Sequence, residues 1–92
     1  MTVDNTLAER GKRYGSFEDH ARIAMDVKGV LRSTKGWQRL QPDQAQALEV
    51  IADKIARILN GDPDYVDNWH DIQGYAKLVE DRLNEHQKGS AG

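Results

Sequence analysis

The chain has no cysteine, so no disulfide or thiolate-held metal can brace its fold and no thiol nucleophile is available. Any metal would fall to carboxylate and imidazole ligands, which suit hard ions such as magnesium or manganese. There is no Gly-rich phosphate loop and no nucleophile elbow, and the serines Ser16, Ser33 and Ser90 fall in a helix cap, a turn and a tail. Covalent catalysis is thereby set aside, and metal-assisted hydrolysis is the chemistry these residue types support. A basic excess is missing too: thirteen Lys and Arg against fifteen Asp and Glu give a net charge of −2. A nucleic-acid binder ordinarily carries a basic stripe, so nucleic acid is not an expected partner. No apolar run is long enough to span a bilayer, and the polar, acidic MTVDNTLAE is unlike a transit peptide. A soluble cytoplasmic protein is expected.

Strand-like alternation and internal repeats are also lacking. What the chain does have is helical periodicity. Its 92 residues suit one domain with a modest core, so an all-α bundle completed by self-association into a homo-oligomer is expected. Residues 1–13 hold little apolar content and read as a flexible arm or a short helix. Ser16 is a helix N-cap with Glu18 and Asp19 behind it, and Phe17, Ala21, Ala24, Val27 and Leu31 recur at helical spacing over about 16–32. Ser33-Thr34-Lys35-Gly36 ends that helix, with Trp37 and Leu40 tucking back on the core. Pro42 opens a second helix, about 42–60, striped by Leu48, Ile51, Ala52, Ile55, Ile58 and Leu59. Asn60-Gly61 stops it, with Gly61 suited to a left-handed cap. A third helix, about 66–86, carries Trp69, Ile72, Ala76, Val79 and Leu83 as its main stripe. The domain is expected to span 14–86, with 87–92 a disordered tail.

Two acidic pairs stand at i, i+4: Glu49 with Asp53 on the second helix and Asp67 with Asp71 on the third. Were the short turn to bring them together, four carboxylates would repel unless a divalent ion and a ligand's phosphates lay between them. The plainer reading is that such pairs are solvated helix faces. His70, beside Asp71, suits a base, a ligand or a phosphate partner, and equally an exposed helix residue bonded to a carboxylate. Lys54 and Arg57, across the second helix from its stripe, read as solvating surface or, in a phosphate site, as counter-charge, as does Arg13 from the arm; Tyr14 suits packing against Phe17 or Trp37, or against a base.

The runs YGSFEDHA, KIARILNG and WHDIQGYA, within residues 13–83, resemble a small phage and prophage family of unknown function. More distantly, a helix with acids and K-x-x-R followed by D-x-x-x-D-I-x-x-Y-A resembles the MazG-like all-α nucleotide pyrophosphohydrolases, especially their phage nucleotide-modification-associated branch. That resemblance implies magnesium-dependent cleavage of nucleoside triphosphates to monophosphate and pyrophosphate, in dimers or tetramers, within the cytoplasm of a bacterial host. It places Asp71 and Asp67 as the later acidic pair and Glu49 and Asp53 as the first, at i, i+4 where the family has i, i+3. Lys54 and Arg57 match the basic element. The expected function is therefore a helical domain that binds or hydrolyses a nucleotide. The alternative is a non-enzymatic, phage-encoded protein that binds and redirects a host protein, and a small DNA-binding regulator fits the helices but not the charge.

Overall fold

A computed structural model of the chain describes residues 2–91, with side chains over 2–9 and 15–87. Four α-helices follow one another: α1 Val3–Tyr14, α2 Phe17–Arg32, α3 Pro42–Asn60 and α4 Val66–Ala91. A short 3₁₀ turn, Lys35–Arg39, joins α2 to α3, and no strand occurs among the described residues. α3 packs against both α2 and α4, while α1 rests against α2 and α3.

The helix starts have local causes. Ser16 Oγ accepts from the Asp19 amide at 3.1 Å, satisfying an N–H that the first turn of α2 would leave unpaired. Gln44 Oε1 accepts from the Gln41 amide at 2.8 Å, closing the first turn of α3 just ahead of Pro42. The N-terminal stretch, expected as a flexible arm or a short helix, is helix α1, and Thr2 supplies its cap: Thr2 Oγ1 accepts from the Asn5 amide at 3.2 Å. At the end of α2, the hydroxyls of Ser33 and Thr34 donate to the carbonyls of Val30 and Leu31, at 2.7 and 2.9 Å. α4 runs beyond His86, its expected end, to Ala91.

The packing departs from the hydropathy pattern in four places. Among the described residues the fully buried apolar side chains are alanines, Ala24 on α2 and Ala47, Ala52 and Ala56 on α3. Small side chains there let the helices approach closely. Phe17 is 81% exposed: it sits in the first turn of α2, ahead of the stretch that meets α3. Leu48 and Leu59, at the borders of the α3 stripe, are exposed as well. On α4 the inner seam is Asn68, Ile72, Tyr75, Val79 and Leu83, rotated toward Asn68 from the expected one. Asn68 is 1% exposed whereas Trp69 is 50% exposed and Ala76 lies in solvent. The reason is the indole N–H of Trp69, which donates back to the Pro63 carbonyl at 2.8 Å and holds the ring over the turn.

The left-handed residue is Gly15, φ 72°, and not Gly61, whose φ is −138°. A Cβ on Gly15 would lie 2.2 Å from the Asn60 carbonyl oxygen, so this glycine lets the α1–α2 corner sit directly on the end of α3. Asn60 Nδ2 then donates to the Ser16 carbonyl at 2.9 Å. Two of the sequence runs singled out above, YGSFEDHA and KIARILNG, thus meet backbone to backbone.

Candidate functional site

The stretch Asp62–Asp67 closes on itself across the start of α4. Asp62 Oδ1 accepts from the Asp64 amide at 2.9 Å, and the Tyr65 hydroxyl donates to Asp67 Oδ2 at 2.8 Å. The acids nearest the turn therefore serve local bonds that launch the helix.

The remaining predicted ligands each hold a cation from a neighbouring helix. Lys28 of α2 bonds Asp53 at 2.9 Å, and Arg32 bonds Glu49. The partners step four residues along α2 and four back along α3, which fixes an antiparallel pair. On the other side of α3, Lys54 bonds Asp71 at 2.9 Å, and Arg82 grips Asp43 through two bonds of 2.9 and 2.7 Å. Asp43 and Lys54 are eleven residues apart, as are Asp71 and Arg82. Both clamps therefore fit one antiparallel register of about three helical turns.

Glu49 and Asp53 consequently face α2, while Asp67 and Asp71 belong to α4. The expected convergence of four carboxylates does not form, and among the described residues no three His, Asp or Glu side chains gather into a group able to hold a metal ion. These donors do not fit magnesium or manganese within one chain, because each carboxylate already has its own partner. Lys54, expected on an open surface, has a side chain only 13% exposed and is committed to Asp71. The side chains of Arg13 and Tyr14 lie outside the described residues.

What the fold does bring together is Asp71, His70, Lys54 and Arg57. The Lys54 ammonium, bonded to the carboxylate, holds Asp71 below the usual carboxylate range; desolvation opposes this, and the charges of His70 and Arg57 reinforce it. His70 and Asp71 form the rim of a groove of about 370 Å³ along α4, with Gly74, Tyr75 and Leu78 as its floor and wall. A second groove of about 370 Å³ continues past Tyr75 and Leu78 to Ala47, Asp43 and Arg82. Gly74 is open, with nothing within 4 Å of the place its Cβ would take. Sequence reasoning missed Gly74, Tyr75 and Arg82 as parts of this surface. An i, i+4 step from His70 through Gly74 to Leu78 was the available signal for the groove, whereas the Arg82–Asp43 clamp depends on interhelical register.

No helix is long and apolar enough to cross a membrane among the described residues. No curated protein and no solved structure matches the chain. One family model does match, over residues 2–83, which spans all three sequence runs and nearly all of the helical bundle. The chain therefore belongs to the family described as a domain of unknown function, DUF6378.

Proposed function

We propose that this chain is a helical nucleotide-binding domain whose ligand lies in the α4 groove at Asp71. The observation that carries the reading is a groove walled by Tyr75 and Leu78 whose rim holds His70 and Asp71, the latter bonded to Lys54 and within reach of the charge of Arg57. An aromatic face and an aliphatic side chain suit a base, and His70 on the rim, beside the Lys54–Asp71 pair, suits a phosphate. Gly74 supports the same reading. A glycine in mid-helix costs about 1 kcal/mol relative to alanine, and no neighbour within the chain requires it. In the groove, its missing side chain leaves room for a ligand.

No hydrolytic step is assigned to these residues, since among the described residues no three His, Asp or Glu side chains form a group able to hold an ion. The MazG-like resemblance makes cleavage the natural extension to test. A nucleotide panel with the purified chain, with and without magnesium or manganese, would follow thermal stabilisation and pyrophosphate release together. At least one nucleotide is expected to raise the melting temperature by roughly 10–20 °C, corresponding to about 2–3 kcal/mol at a hundredfold excess over Kd. Gly74→Leu, which fills the groove, is expected to abolish that shift and leave the fold intact. Metal-dependent pyrophosphate release lost in Asp71→Asn would extend the reading to a pyrophosphohydrolase. Silence in both channels from folded protein would sink it.

A second reading, a non-enzymatic binder of a host protein, is favoured by the end of the bundle where Ser16 meets Asn60. Phe17, Leu59, Val66 and Trp69 are all at least half exposed around that corner, and such a concentration of large apolar groups is typical of partner surfaces. Capture of one host protein that is lost in Phe17→Asp and Trp69→Asp, with the nucleotide panel silent, would establish it.

A further inference from the structure

Large apolar side chains crowd one end of the bundle. α2 and α4 start there and α3 ends there, because both flanking helices run antiparallel to α3. The Ser16–Asn60 bond holds the start of α2 to the end of α3, and the Trp69–Pro63 bond folds the turn back onto α4. Around it Phe17, Leu59, Val66 and Trp69 are 81%, 68%, 67% and 50% exposed. Phe17 stands seven residues before buried Ala24, and Leu59 seven after buried Ala52. Two helical turns keep a residue on the same face, so both prolong the inward lines of their helices past the point where packing stops.

The same end is acidic. Segments 15–21 and 58–69 hold Glu18, Asp19, Asp62, Asp64 and Asp67, five of the chain's fifteen acidic residues, and none of its thirteen Lys and Arg. Since the chain carries −2 in all, its remainder is net positive. All five acids are exposed, and none enters an ion pair among the described residues. Helix dipoles account for Glu18, Asp19 and Asp67, which stand in first turns. They do not account for Asp64, whose carboxylate bonds nothing among the described residues, nor for four large apolar groups beside the acids.

An apolar centre with an acidic surround selects its occupant by charge. Anionic lipid and nucleic acid are repelled. A second copy would bring the same five carboxylates, so self-pairing about this end sets like charges opposite one another. No strand among the described residues offers an edge to an extended peptide. What matches is a helix with apolar anchors on one face and Lys or Arg beside them.

We infer that this end of the bundle docks a basic amphipathic helix of another protein, with Phe17, Leu59, Val66 and Trp69 taking its apolar face and Glu18 and Asp64 its cations. The inference rests on the second reading above, whose partner it assigns to a chemical class, and is independent of the nucleotide reading. The probe is a peptide of about four turns built from Leu and Lys at helical spacing, beside a twin with Glu for Lys. The chain has two tryptophans, so Trp37→Phe leaves Trp69 as the sole indole reporter. The Lys–Leu peptide is expected to shift Trp69 emission to the blue, more weakly as salt rises, and the Glu twin to leave it unmoved. Phe17→Ser with Leu59→Ser should weaken binding at least about tenfold, as should Glu18→Lys with Asp64→Lys. Glu80→Lys with Glu85→Lys makes the same change of net charge far along α4, at exposed positions, and should alter binding by less than about twofold. A Glu twin that binds equally well and is lost in Phe17→Ser would overturn the basic class while keeping the corner as a partner surface. Host-protein capture that survives Glu18→Lys with Asp64→Lys would do the same. No binding of the Lys–Leu peptide by folded protein, or binding indifferent to Phe17→Ser with Leu59→Ser, would overturn the inference and leave host-protein capture to decide the second reading. A blue shift driven by protein concentration alone, or by anionic vesicles, would overturn it in favour of a second copy or of lipid.

Discussion

Gly15 concentrates two constraints on one Cα. Its φ of 72° is costly for any residue with a Cβ, and that Cβ would collide with the Asn60 carbonyl. Gly15→Ala is therefore expected to destabilise the chain by about 2–3 kcal/mol, read as a lower urea midpoint. An unchanged midpoint would mean that the corner does not sit on α3 as described. The sequence marks both Gly15 and Gly61 as breaks, yet it cannot say which of them takes the left-handed backbone. That depends on which glycine another segment approaches, a fact of tertiary structure. Asn68 makes the same point from inside. It is buried with its Nδ2 unpartnered, and hydropathy assigns the core instead to its neighbour Trp69, whose indole N–H is satisfied at the surface.

Helix existence and boundaries for α2, α3 and the start of α4 were legible because they rest on local chemistry. Ser16 is a cap, Pro42 is a preset first-turn φ, and Asn60-Gly61 is a stop. α1 carries the same kind of cap in Thr2, but its described side chains, 2–9, are all exposed and leave no apolar stripe to read. The partners of charged residues were not legible, since Lys28–Asp53, Lys54–Asp71 and Asp43–Arg82 follow from interhelical register. Those clamps determine the response to acid. Asp43 and Asp71 bind protons less readily when folded, chiefly through their hydrogen bonds to Arg82 and Lys54. As pH falls toward about 4 the unfolded chain takes up protons first, so the stabilisation these groups contribute is lost. Stability is expected to be level from pH 7 to 5 and to decline below. Asp43→Asn and Asp71→Asn should lower the plateau, and their gap to wild type should narrow in acid; a constant gap down to pH 3 would count against the clamps. The exposed i, i+4 pair Lys77–Asp81 is the contrast: Lys77→Ala should move the midpoint by no more than about 0.5 kcal/mol.

At the scale of the whole molecule, burial is uneven. α3 is flanked by α2 and α4, tied by two ion pairs on each side, and holds Ala47, Ala52 and Ala56 in the core. α1 has every described side chain in solvent, Val3 and Leu7 among them, and its firm anchorage comes at its far end through Gly15 and Asn60. A helix of 12 residues is marginal without tertiary support. Opening of α1 should therefore need far less free energy than opening of α3, which requires undoing the entire bundle. In native-state hydrogen exchange, α1 amides are expected to exchange at least about a hundredfold faster than those of α3, a gap of roughly 3 kcal/mol. Adding urea should accelerate α3 exchange and leave α1 nearly unchanged, because local opening exposes little new surface. Equal protection in the two helices would show that Val3 and Leu7 are covered in solution. The covering would then have to come from a partner bound through α1.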